Sequence, residues 1–274
     1  MNKAGVYYDS GSFARGVMTL TYVGSGFVVG LLVGLTGVGG GSLMTPLLTL
    51  LFGINPAVAV GTDLAFASAT KVAGTFAHRY HGNVHWDIVR RLCVGALPAA
   101  VLTALGLKYF GALSQEIGQF IRYSIAVSVL LTVVAILFRG RMQAWMTSHP
   151  DRQLQGRTLT NATIASGVVL GTLVTISSIG AGAVGATLLV LLYPRLKPAE
   201  IAGTDIAYAV PLTAIAALGH WWLGSINWEL LAMLLLGSVP GITLGSLAAR
   251  AVPERALRGL LAVTLTGVAA KLVL

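Results

Sequence analysis

The chain has 274 residues, 55% of them hydrophobic and only 10% charged, and its formal net charge is +9 at pH 7. Soluble domains carry about 25% charged residues, so a water-soluble fold of this length would lack the polar surface it needs. The basic residues fall in short stretches between apolar blocks, which is the pattern of the positive-inside rule and not of a nucleic-acid footprint.

The first sixteen residues, Met1–Gly16, form a mixed, polar tail without the features of a cleavable signal peptide. Ten hydrophobic segments follow, at roughly 17–36, 42–53, 58–78, 90–108, 120–138, 159–177, 183–193, 200–222, 229–249 and 256–274. Most are long enough to cross a hydrocarbon core of about 30 Å at 1.5 Å per residue. Segments 42–53 and 183–193 are not; as helices they reach about 18 Å. Each follows a break rich in small residues, first Thr36-Gly37-Val38-Gly39-Gly40-Gly41-Ser42, then Ser177-Ser178-Ile179-Gly180-Ala181-Gly182. The single cysteine, Cys93, lies in an apolar block and reads as a packing residue.

The two halves repeat at a fixed offset. Gly61-Thr62-Asp63 matches Gly203-Thr204-Asp205, His78 matches His220, Trp86 matches Trp228, Gly95 matches Gly237 and Pro98 matches Pro240. Apolar composition alone aligns leucines and alanines; it does not align Asp, His, Trp and Pro at one spacing. With the basic linker 139–158 in the cytoplasm and the segments alternating, the inside loops collect most of the Lys and Arg, and both termini fall outside. Each repeat then has five segments. An odd number makes the repeats inverted, a known design of secondary transporters. The expected organisation is a tail 1–16, a first membrane repeat 17–138, the linker 139–158 and a second membrane repeat 159–274. The fold class is an all-α integral membrane bundle with short broken helices at the glycine-rich breaks.

The run Gly34-Leu-Thr-Gly-Val-Gly-Gly-Gly-Ser-Leu-Met-Thr-Pro46, followed by Val60-Gly-Thr-Asp63 and Gly82-Asn-Val-His-Trp86, resembles the TauE/SafE family of sulfite and organosulfonate exporters, and the repeat extends the likeness over nearly the whole chain. The resemblance implies a multi-pass protein of the bacterial inner membrane that exports a small sulfur-containing anion. A passive anion channel and a transporter of another small organic acid stay open as alternatives. An intramembrane serine protease built on Ser42 and a histidine lacks a GxSxG elbow and gives no reason for duplication.

The residues suggest where an anion would bind. A helix that begins at mid-membrane presents unpaired N–H groups and the positive end of its dipole, and glycines let an anion approach that backbone. The expected substrate-binding positions are therefore Thr36, Gly39, Gly40, Gly41 and Ser42 at the first break and Ser177, Ser178, Gly180 and Gly182 at the second. Thr62 and Thr204 offer hydroxyls beside them. Lys71 joins the set as the single basic residue well inside a segment, eight residues beyond Asp63 on one helix face. Its counterpart, Thr213, carries no charge. Asp63 and Asp205 are intramembrane carboxylates at matched positions, costly to insert, and are assigned to proton coupling or to support of the broken helices. The structural alternative for the breaks is close helix packing, and for Lys71 a snorkelling side chain. His78, His81 and His85 lack the carboxylate or cysteine that would complete a metal shell; no metal, cofactor or catalytic residue is expected. His78 and His220 are expected at the membrane-surface ends of their segments, with Trp86 and Trp228 in the interfacial belt. The expected partners are a small anionic substrate and the lipid bilayer, with no nucleic acid. Oligomeric state, a homo-oligomer included, is open.

Overall fold

A computed structural model describes residues 10–36, 41–80, 82–111, 114–248, 259, 263, 265–267 and 271. Among these, the elements are helices: α1 Ser10–Thr36, α2 Gly41–Leu51, α3 Pro56–Tyr80, α4 Trp86–Phe110, α5 Gln115–Ser148, α6 Gly156–Ser177, α7 Ala183–Leu192, α8 Pro198–Trp222 and α9 Trp228–Ala248, with one 3-10 turn at Pro150–Arg152. Nine of the ten expected segments are thus helices. The tenth, 256–274, lies mostly outside the described residues; those described within it are helical.

Five helices, α4, α5, α6, α8 and α9, are long and apolar enough to cross a membrane. The chain has little choice in a bilayer, where every backbone polar group must find its partner within the protein. With 25 residues, α3 is as long as α4 and α8; it is also the helix that carries Asp63 and Lys71. The two short helices have 11 and 10 residues, about 15 Å of rise and half a hydrocarbon core. The 34 residues of α5 run about 50 Å, so its last turns continue through the first ten residues of what the sequence suggests is a linker. Ser114 caps its start by accepting from the Ile117 N–H.

Packing pairs α1 with α9, α4 with α6 and α3 with α8, while α5 lies on α7. Glycines set the closest approaches. A Cβ added at Gly95 of α4 would strike the Ile164 carbonyl of α6, and one added at Gly167 of α6 would strike the Leu92 carbonyl of α4. The same relation holds between α9 and α1, where Gly237 meets the Val23 carbonyl and Gly26 meets the Leu234 carbonyl. Contacts on one side of each pair advance together, Gly26 to Leu234, Gly30 to Ser238 and Leu31 to Gly245 in α1–α9, and Leu92 to Gly167 and Ala96 to Gly171 in α4–α6, so each pair is parallel. Small residues allow this backbone proximity where hydrophobic driving force between helices is weak.

The α3–α8 pair runs antiparallel, as two matched hydrogen bonds record. The Asn227 N–H, at the start of α9, donates to Thr62 Oγ1 at 3.1 Å. The His85 N–H, at the start of α4, donates to Thr204 Oγ1, also at 3.1 Å. Each threonine near the beginning of one central helix therefore caps the helix that follows the other. α6 and α7 form a hairpin whose open end is closed by Thr163 and Tyr193, hydroxyl to hydroxyl at 2.8 Å.

His220 lies near the end of α8, and its side chain is fully buried within the protein. Its Nε2 is 2.9 Å from the Thr175 carbonyl of α6, and its Nδ1 is 2.9 Å from Ser225 Oγ in the turn after α8. α6 and that turn cover this end of α8. The side chain of His78 and residue His81 lie outside the described set. Trp86 and Trp228 are 51% and 56% exposed, matched in environment as in sequence.

Candidate functional site

The α6–α7 hairpin turns inside the bundle. Ser178 ends α6 in the left-handed conformation with φ 59°, and its N–H returns to the Val174 carbonyl. Gly180 and Gly182 follow, each with φ 132°, a region open in practice to glycine alone. The first hydrogen bonds of α7 run from the Gly185 N–H to the Gly180 carbonyl and from the Ala186 N–H to the Gly182 carbonyl. The N–H groups of Ala183 and Val184 belong to the unpaired start of the helix and face the break.

Three other elements meet this turn. From α3, Lys71 donates to the Ala181 carbonyl at 3.2 Å across 110 residues of sequence. Asp63, about two turns earlier on α3, accepts from Thr45 of α2 at 2.6 Å through Oδ2, and the Ser178 side chain is its neighbour from the break. From α8, Asp205 reaches the Gly182 backbone. Its Oδ1 and the Tyr208 hydroxyl both crowd the place where Gly185 would carry a Cβ. The Lys71 ammonium is within electrostatic reach of both carboxylates, without a direct ion pair to either. Arg139 of α5 adds a second positive charge near Asp205. The side chains at the centre are 0 to 7% exposed.

Four polar atoms here lack a hydrogen bond of good geometry among the described residues: Asp63 Oδ1, Ser178 Oγ, Asp205 Oδ1 and the Tyr208 hydroxyl; of these, Ser178 stands near enough to Asp63 to turn its hydroxyl toward that carboxylate when no guest is bound. Leaving a buried polar atom unpaired costs on the order of 1–3 kcal/mol. Four in one cluster mark a place where the fold keeps donors and acceptors available.

The expected site residues divide into three groups. Lys71, Ser178, Gly180, Gly182, Asp63 and Asp205 converge at the second break. Ser177, Thr62 and Thr204 have their hydroxyls engaged elsewhere. Ser177 Oγ lies at 2.8 Å from the Leu173 carbonyl and accepts from the Ile179 N–H at 3.2 Å, and the two threonines cap α9 and α4. At the first break, Gly39 and Gly40 lie outside the described residues. Thr36 is the last residue of α1, and Gly41 and Ser42 open α2; the side chains of all three fall outside the description. Two residues are absent from the sequence expectation. Thr45 sits unremarked in an apolar helix. Tyr208 reads as core, although its counterpart in the first half is Phe66, and a hydroxyl added at one of two matched aromatic positions was a usable signal. His85 meets Glu200 at 3.8 Å, away from this cluster.

The family model for the sulfite exporter TauE/SafE matches residues 22–272. The chain belongs to the TauE/SafE family. Among its relatives, the probable membrane transporter protein YjnA of Bacillus subtilis is 40% identical over 231 residues, which cover 84% of this chain and 89% of that protein. The probable membrane transporter protein YdhB of the same organism is 28% identical over 245 residues, 87% and 93% of the two chains. A probable membrane transporter protein of Methanocaldococcus jannaschii is 28% identical over 199 residues, 70% and 68% of the two chains. No solved structure matches this TauE/SafE chain at a significant level. Membership makes it a multi-pass membrane protein of a transporter family.

Proposed function

We propose that the protein exports a small sulfur-containing anion, sulfite or an organosulfonate, by proton-linked alternating access at the α6–α7 break. The observation that carries this reading is Lys71: one buried ammonium held against the turn of a broken helix, between two matched carboxylates. An anion entering here meets the ammonium, the Ser178 hydroxyl and the first N–H groups of α7. Asp63 and Asp205 exchange protons over the transport cycle, and a carboxylate left ionised beside the bound anion is balanced by Lys71. The closed burial of the cluster favours a carrier over a pore, because no continuous water path is needed between openings.

The same reading assigns two inverted repeats, 17–138 and 159–274, joined by the cytoplasmic segment 139–158 in the inner membrane, with both termini outside. Its support is the reciprocal threonine caps, the antiparallel α3–α8 pair and the matched parallel pairs α1–α9 and α4–α6. Exchanging the halves converts each of these contacts into its partner.

The test is uptake of radiolabelled sulfite into proteoliposomes, with and without an imposed pH gradient, and with sulfate, taurine and sulfoacetate as competitors. Saturable uptake that responds to the gradient supports a coupled anion carrier. Well-folded protein that moves none of these anions contradicts the substrate assignment.

A further inference from the structure

We infer that the cluster selects a small oxyanion that still carries one ionisable O–H, and discriminates against fully deprotonated anions of the same size. This rests on the transport reading above and narrows its substrate.

The four unpartnered atoms are of two kinds. Ser178 Oγ and the Tyr208 hydroxyl are groups with a hydrogen to donate, and Lys71 has N–H groups beyond the one directed at Ala181. Asp63 Oδ1 and Asp205 Oδ1 are open acceptors. A guest that satisfies the donors must offer anionic oxygens. A guest that also satisfies an open carboxylate oxygen must bring a hydrogen. A sulfonate offers oxygens only, and sets lone pairs against the carboxylates. A singly protonated oxyanion does both: its charged oxygens accept from Lys71, Tyr208 and Ser178, and its O–H donates to Asp205 Oδ1 in a charge-assisted bond.

Tyr208 makes the arrangement one-sided. Its hydroxyl and Asp205 Oδ1 flank the same point over Gly185, where any larger residue would displace them. In the first half, Phe66 replaces the tyrosine, equally buried, and Asp63 is clasped by Thr45. In the second half, Thr187, the match of Thr45, instead donates back to the Ala183 carbonyl at 2.7 Å, so Asp205 keeps the more open carboxylate. The charged and titratable groups facing this point are Asp63 and Lys71 from α3, Arg139 from α5, Asp205 and Tyr208 from α8, and Cys93 from α4.

Two probes differ in this one property. At mildly acid pH, methylphosphonate is a tetrahedral monoanion with one O–H, and methanesulfonate is its near-isostere without one. Both are tested at the same pH as competitors of radiolabelled sulfite uptake into proteoliposomes. The expected result is inhibition by methylphosphonate at a concentration at least about tenfold below that needed with methanesulfonate, since a site built to bond a substrate hydroxyl rejects the analogue lacking it. Tyr208→Phe, a change the first half already carries at Phe66, should raise the KM for sulfite about tenfold and keep the preference between probes. Asp205→Asn should shrink that preference, because a carboxamide both donates and accepts. Saturable sulfite uptake with equal inhibition by the two probes, or with none by methylphosphonate, overturns the inference and leaves the carrier reading intact. Absence of saturable sulfite uptake overturns the carrier reading and the inference with it.

Discussion

Asp63 and Asp205 occupy matched positions and have unlike surroundings. Asp63 is held by the Thr45 hydroxyl, whereas Asp205 faces Tyr208 and a backbone turn. If both link proton binding to transport, Asp63→Asn and Asp205→Asn insert normally and lose the dependence of flux on a pH gradient. Unchanged gradient dependence in both variants would remove protons from the role assigned to these carboxylates. Sequence reasoning finds the acidic pair and Lys71 because a charge inside an apolar segment stands out. It misses Thr45 and Tyr208 because a threonine or a tyrosine in such a segment is ordinary, and only the fold reveals that the Thr45 hydroxyl bonds Asp63 and that the Tyr208 hydroxyl lies beside Asp205 over Gly185. Thr62 and Thr204 are expected to offer their hydroxyls to the substrate. The fold turns them toward the opposite half, where helix starts with unpaired N–H groups need an acceptor.

Those two caps tie the central helices to their neighbours across the repeat boundary. Thr62→Val and Thr204→Val each leave a part-buried N–H without its side-chain acceptor. Each should lower stability by about 1 kcal/mol, near the upper part of the range for hydrogen bonds within membrane bundles, as read by thermal unfolding in detergent. The two losses should be similar, since the two bonds are equivalent. The glycine contacts are less forgiving. Gly95→Leu and Gly237→Leu press a side chain into a neighbouring backbone carbonyl, with an expected loss of at least about 1–3 kcal/mol and reduced yield of folded protein. Gly106→Leu, at a position with open space around it, is the control and should be tolerated. Helix boundaries are largely legible in the sequence because apolar runs and glycine breaks bracket them. The end of α5 is not: Arg139 and Arg141 look like the start of a loop, but a helix leaving the membrane keeps its hydrogen bonds whether its side chains are apolar or charged.

Across the whole molecule, the duplication is readable as a fixed offset, and the contacts that exchange under it are readable only in three dimensions. The orientation proposed from charge is tested by access. On a Cys93→Ser background, Glu116→Cys lies at the start of α5 and Asp151→Cys just beyond its end, both exposed. A membrane-impermeant maleimide applied to intact cells should label Glu116→Cys, and should label Asp151→Cys only after the membrane is opened. The reverse pattern would turn the molecule over.

The central claim is that the anion binds where Lys71 meets the α6–α7 break. The most direct measurement is saturable uptake of radiolabelled sulfite by reconstituted Lys71→Ala beside the wild-type protein, with thermal unfolding confirming that both are folded. Saturable uptake by the wild type and a loss of at least about tenfold in uptake by Lys71→Ala are expected. Undiminished sulfite uptake by folded Lys71→Ala would contradict the claim.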